Sequence, residues 1–202
     1  ANLSSNSSSR PVDLPDRLTG KNFESIMRAA QQISSEFNLR ELMLKSLRLV
    51  LEITKVETVA LVMNGNQGKV VEAQITNRDE ATYSKSLLEC PDIPVSVVNY
   101  VFQSGVTFNL ADQERVAEQE KGFIQTDPYL QSHKPKAMLC MPVISQDKTI
   151  GVLYLDCCSY NHHFTEYHLR IIEMLLSQST ISFENARLFG KSERLNKALE
   201  KK

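Results

Sequence analysis

Two apolar runs of strand length, Lys136-Ala-Met-Leu-Cys-Met-Pro-Val-Ile144 and Thr149-Ile-Gly-Val-Leu-Tyr-Leu155, are separated only by Ser145-Gln-Asp-Lys148. Neither run alternates between apolar and polar residues, so each suits a strand covered on both faces. A hairpin of that kind needs a packed layer above it and another below. After a polar loop, Phe164-Thr-Glu166 opens an amphipathic helix that continues past Glu184-Asn-Ala-Arg187. The chain must therefore place helices against a sheet.

Upstream, Phe23, Ile26, Met27, Ala30, Ile33 and Phe37 recur at three- and four-residue steps and predict one helical stripe. Asn38 with Glu41 reads as the cap of a second helix, which buries Leu42, Leu44, Leu47, Val50, Leu51 and Ile53. The period then shifts. Glu57 to Met63 and Lys69 to Thr76 predict two strands around Asn64-Gly-Asn-Gln-Gly68, whose glycines supply positive φ. Thr82 to Glu89 reads as a weaker third strand. Pro94 suits the first turn of a helix carrying Val97, Val98, Val101 and Phe102, and Gly105 ends it. Val106 to Leu110 predicts a short strand, Ala111 to Gln125 a polar loop, and Thr126 to Ser132 a short capped helix. Hairpins with helices at both ends indicate an α+β domain.

The 202 residues suffice for one domain with a substantial core and extra helix at the ends. A net charge of −1 gives no reason to expect nucleic acid or an anionic membrane as partner. No apolar stretch approaches the roughly 20 residues of a transmembrane helix, and the Ser/Asn-rich start has no signal-peptide core. Four cysteines without framework spacing suit a reducing compartment, so a cytoplasmic location is expected. Residues 1–21, with Pro11 and Pro15, read as a flexible linker. The missing initiator Met suggests a piece of a longer protein.

Three segments carry a family likeness. They are Pro94-Val-Ser-Val-Val-Asn-Tyr-Val101, the stretch from Thr126 to Pro142, and Ile150-Gly-Val-Leu-Tyr-Leu155 with Phe164-Thr165 and Glu184-Asn-Ala-Arg-Leu188. With their spacing, they resemble GAF domains, most closely those of large multi-sensor hybrid histidine kinases of fungi and cyanobacteria. The resemblance covers about Asn22 to Phe189. It implies an antiparallel sheet with terminal helices on one face and a pocket layer on the other. It also implies a sensor domain over 22–189, an exit-helix extension over 190–202, and a downstream kinase domain in the same chain. The fragment itself would be non-catalytic and would pass a signal along its last helix.

For an unidentified small-molecule ligand, the expected pocket lining is Val98, Phe102, Phe123, Tyr129, Met138, Cys140, Val152 and Tyr154. For an oxidant, the redox candidates are Cys140, Cys157 and Cys158, because a thiol near Lys136 or a His can ionise more readily. The bland reading of a free Cys is a small hydrophobe that packs. His133, His162, His163 and His168 have no metal-site spacing, so no metal is expected. The Asn-Lys…Phe…Asp-Glu signature of cyclic-nucleotide-binding GAF domains is absent, as is a bilin-linking Cys with a flanking His. No cofactor is identifiable from the sequence. Nucleotide-binding, kinase and Ser-His-Asp signatures are missing. Two other readings remain open: a thiol reductase of the methionine sulfoxide type, and a ligand-free dimerisation spacer. Met174, Ile181, Leu188 and Leu195 fall seven apart on one side of the last helix and predict a homodimer seam.

Overall fold

The computed structural model describes residues 26, 39–65, 67–77, 81–82, 85–111, 122 and 125–199, with side chains given for 26 and between 41 and 182. Four helices occur among them: α1 (Leu39–Thr54), α2 (Val95–Ser104), α3 (Pro128–His133) and α4 (Glu166–Leu199). The strands are β1 (Thr58–Gly65), β2 (Gly68–Thr76), β3 (Ala81–Thr82), β4 (Lys85–Ser86), β5 (Phe108–Asn109), β6 (Ala137–Ser145) and β7 (Lys148–Cys157). They form one antiparallel sheet in the order β3-β2-β1-β7-β6-β5, with β4 also on β2.

The β6–β7 hairpin turns through Gln146 and Asp147, both left-handed at φ 48° and 59°, with Ser145 opposite Lys148. Two successive positive φ values are what a two-residue turn needs to match strand twist. β7 lies between β1 and β6, and Gly151 to Cys157 are all buried, which accounts for its unbroken apolar run. Gly151 is required there: a Cβ would sit 2.9 Å from the Val62 carbonyl oxygen of the neighbouring strand.

Strand alternation sorts the core into two halves. On one face Leu61, Ala73, Leu139, Met141, Leu153, Leu155 and Cys157 pack with Leu42, Leu47 and Val50 of α1 and Ile171, Ile172 and Leu175 of α4. On the other, Ala60, Val62, Met138, Cys140, Val152 and Tyr154 pack under α2 and α3. Buried Ser46 and Ser179 join α1 to α4, their hydroxyl oxygens 3.0 Å apart. Leu169, Ile172, Leu176 and Thr180 of α4 are wholly or partly buried.

The sequence expectations need two adjustments. Thr82 to Glu89 is no continuous strand: it holds the end of β3, all of β4 and a 3₁₀ turn, Leu87–Glu89, whose Leu87 is buried. Of Lys85 to Glu89 only Leu87 is buried, so this stretch has no alternating face to show. Pro94 caps α2 rather than opening it, and Gly105 closes the helix at φ 65°, its N–H donating to the Val101 carbonyl. The stripe from Phe23 to Phe37 lies outside the described residues except Ile26, which is helical and packs against the α1–α4 core. The linker over 1–21 and the side chains of Phe123, Leu188 and Leu195 also lie outside them.

Candidate functional site

The face opposite α1 and α4 is roofed by two short helices, and one carboxylate positions both. Asp127 caps α3, accepting from the backbone N–H of Tyr129 at 2.9 Å and of Leu130 at 3.3 Å on Oδ1. Its Oδ2 accepts from the Ser96 N–H at 3.1 Å and the Ser96 hydroxyl at 2.5 Å, in the first turn of α2. Thr126-Asp-Pro128 therefore folds as it reads, with a side-chain cap followed by Pro at the first helical position. α3 stops at Lys134, which takes a left-handed conformation at φ 46°.

Beneath α3 lies a polar triad. Asp156, 1 % exposed, accepts on Oδ2 from the hydroxyl of Tyr154 at 2.7 Å and from the hydroxyl of Tyr129. Burial pushes the Asp156 carboxyl up, while donors from Tyr129, Tyr154 and Thr58 pull it down less strongly. Both phenols are driven up, first by burial and then by the Asp156 charge. The Tyr129 ring stacks on His133 with centroids 4.4 Å apart, and its hydroxyl lies 3.9 Å from Cys158 Sγ. At the rim, Glu57 accepts from the Cys158 and Ser159 N–H groups at 2.7 and 3.1 Å. Burial raises its pKa, but a hydrogen bond from the Ser159 side chain, these two backbone bonds and one from the Cys157 side chain outweigh it and leave the carboxyl below its ordinary value.

Of the expected pocket residues, Val98, Tyr129, Met138, Cys140, Val152 and Tyr154 stand together on this face. Phe102 lies at its margin, with the Lys69 ammonium 5.0 Å from its ring centroid. Phe123 is not described. Val98, Met138, Cys140, Val152 and Tyr154 are each 0 % exposed, so the protein's own side chains fill the space around them. A ligand at these residues would have to displace part of the roof.

The three redox candidates do not meet. Cys140 stands opposite Tyr154 on the roofed face, whereas Cys157 stands opposite Ala137 and points to the α1–α4 core. The hairpin therefore does not bring Cys140 and Cys157 together, since they point to opposite faces of the sheet. Burial pushes the Cys140 thiol far up, and burial and then Asp156 raise that of half-buried Cys158. Lys136 donates to the Ser159 carbonyl at 2.9 Å, and Cys140 is wholly buried in the apolar roofed core. Among the described residues no group of three or more His, Cys, Asp or Glu side chains is arranged to hold a metal.

An open groove of about 370 Å³ lies on the other face, between the α4 residues Glu173, Leu176, Ser177 and Thr180 and the β6 residues Met141, Pro142 and Ile144. Ile144 and, one turn beyond Ser177, Ile181 are 51 % and 53 % exposed. Met174 is half-buried.

Sequence reasoning passed over Asp156 and gave Asp127 no role beyond a cap. A carboxylate ending an otherwise apolar central strand was the available signal for the first, since such a group is buried only with partners.

The GAF domain sequence pattern matches residues 38–183. Hybrid signal transduction histidine kinase G of Dictyostelium discoideum is 28 % identical over 127 residues, 63 % of this chain and 3 % of that protein. Peroxide stress-activated histidine kinase mak3 of Schizosaccharomyces pombe is 23 % identical over 172 residues, 83 % of this chain and 7 % of that protein. The chain thus spans only a small part of both relatives. Among solved structures, the GAF domain of an Acinetobacter phosphoenolpyruvate-protein phosphotransferase superposes with a TM-score of 0.62 at 18 % identity, over 85 % of this chain and 97 % of that one.

Proposed function

Because this chain belongs to the GAF domain family, we propose that it is the regulatory sensory module of a larger histidine-kinase-type signalling protein. It has no catalytic role of its own in this reading. A small molecule shifts the packing of the roofed face, and α4 carries the difference to a kinase domain in the same chain. The fragment works as a homodimer along Met174, Ile181, Leu188 and Leu195, in the cytoplasm. Among the described residues no helix is long and apolar enough to cross a membrane.

One observation carries the reading. β7 serves both faces: Val152, Tyr154 and Asp156 alternate under the roof, while Leu153, Leu155 and Cys157 alternate toward α4. A shift of this strand is felt on both sides, and α4 continues to Leu199 as a 34-residue helix able to transmit it. The relatives named as histidine kinases favour the kinase as output. The buried Cys140 and Cys157, and the raised thiol of Cys158, favour a ligand over direct thiol oxidation.

A fusion tests this. A histidine-kinase core joined after Leu199 should change its autophosphorylation when Val152→Ala or Tyr154→Phe alters the roofed face. Equal autophosphorylation in all three proteins would remove the sensory reading. It would favour the spacer, which a filled interior also suits.

A further inference from the structure

We propose that α3 is a lid over the roofed face, and that the Tyr129 hydroxyl on Asp156 is its catch. The cover has two parts held in different ways. α2 spans ten residues and buries Val97, Val98 and Val101, so apolar contact fixes it along its length. α3 has six residues and buries only Tyr129 and Leu130. Among the described residues it is held by the Tyr129 and Leu130 side chains, the Asp127 carboxylate on Ser96, the Gln131 amide on the Gln125 carbonyl, and the Tyr129 hydroxyl on Asp156. Both of its ends leave helical geometry. Asp127 caps one end in extended conformation at ψ 124°, and Lys134 leaves the other in the left-handed region. Rotation about those ends swings Tyr129 off the sheet.

Asp156 suits a catch because its remaining donors do not depend on the lid. The Tyr154 hydroxyl and the Thr58 side chain both come from the sheet, so the carboxylate keeps partners when α3 lifts. Opening then costs one charge-assisted hydrogen bond and two side chains of contact, without leaving an orphaned buried charge. The sensory reading supplies the reason for a lid, a way into a filled interior. The lid itself rests on the geometry.

Hydrogen exchange of the intact chain tests it. Tyr129→Phe removes the catch and keeps the ring, and should speed exchange of amides 129–134 about tenfold, as expected for one hydrogen bond to a charged group. Amides of β1 and β7 should keep their rates. Thr58→Val removes another donor from the same carboxylate but comes from β1 rather than α3, and should leave 129–134 near wild-type rates. Unchanged exchange in Tyr129→Phe overturns the lid. So does an equal rise across all elements, or an equal effect of the two substitutions. A kinase fusion indifferent to the roofed face would refute the sensory reading and leave the lid intact, so the two failures are distinguishable.

Discussion

Asp127 holds Ser96 by two hydrogen bonds to one carboxylate oxygen, while its other oxygen caps α3. A single buried side chain thus closes the N-terminal turns of two helices, reaching a serine thirty-one residues away in sequence. Asp127→Ala removes a cap worth about 1 kcal/mol and also strands the Ser96 donors. Urea unfolding should show a loss of about 2–4 kcal/mol, with Asp127→Asn costing less. A loss below about 0.5 kcal/mol would mean that water replaces the carboxylate.

His162 makes the loop before α4 sensitive to acid. Among the described residues its buried Nε2 has no hydrogen-bond partner, and its ring lies 4.9 Å from that of Phe164 and 5.7 Å from that of His168. Burial, then the charges of His168 and His163, hold its pKa below the ordinary value. The unfolded chain takes up this proton first, near pH 6.5, so folding stability falls as pH drops from there toward the lower folded value. Above that window the contribution is complete. Thermal melts between pH 8 and 5 should show the decline, and His162→Leu should flatten it; an unchanged slope in the variant refutes the assignment.

The cysteines should react in the order of their burial. Cys140 and Cys157 are fully buried, and Cys158 is the most exposed of the four. Iodoacetamide labelling of the native protein should modify Cys158 first and Cys140 only on unfolding. Peroxide should oxidise Cys158 no faster than a free thiol, because burial, then the charges of Asp156 and Glu57, oppose its ionisation. Rapid oxidation of Cys140 or Cys158 would restore the redox reading.

The hairpin, the glycine end of α2 and the long last helix were legible because each follows from local chemistry. Gly105 was readable since a helix end at positive φ suits only a few residues. The split of Thr82 to Glu89 was not, because pairing with β2 at Lys85 and Ser86 is decided by the partner strand. The alternation that gathers Met138, Cys140, Val152 and Tyr154 under one roof could be read along each strand. The irregularity between Val143 and Ile144, which aligns the two strands, could not. Asp156 escaped because its partners come from α3 and β1 as well as its own strand, and none of these is near in sequence to all the others.

Ile181, 53 % exposed on α4, and the apolar positions Leu188 and Leu195 beyond it should be covered by a second copy. Light scattering should give about twice the 22.9 kDa chain mass. Ile181→Glu combined with Leu188→Glu should halve it while circular dichroism is preserved. A wild type that is monomeric at high concentration would exclude the seam.

The central claim is that β7 couples the roofed face to α4. Val152→Ala tests it most directly, since Val152 belongs to the roofed core and not to the α1–α4 core. The coupled account predicts that hydrogen exchange of α4 amides 170–182 rises more than that of β2, which is farther from α4. Exchange in α4 that rises no more than in β2 would contradict it.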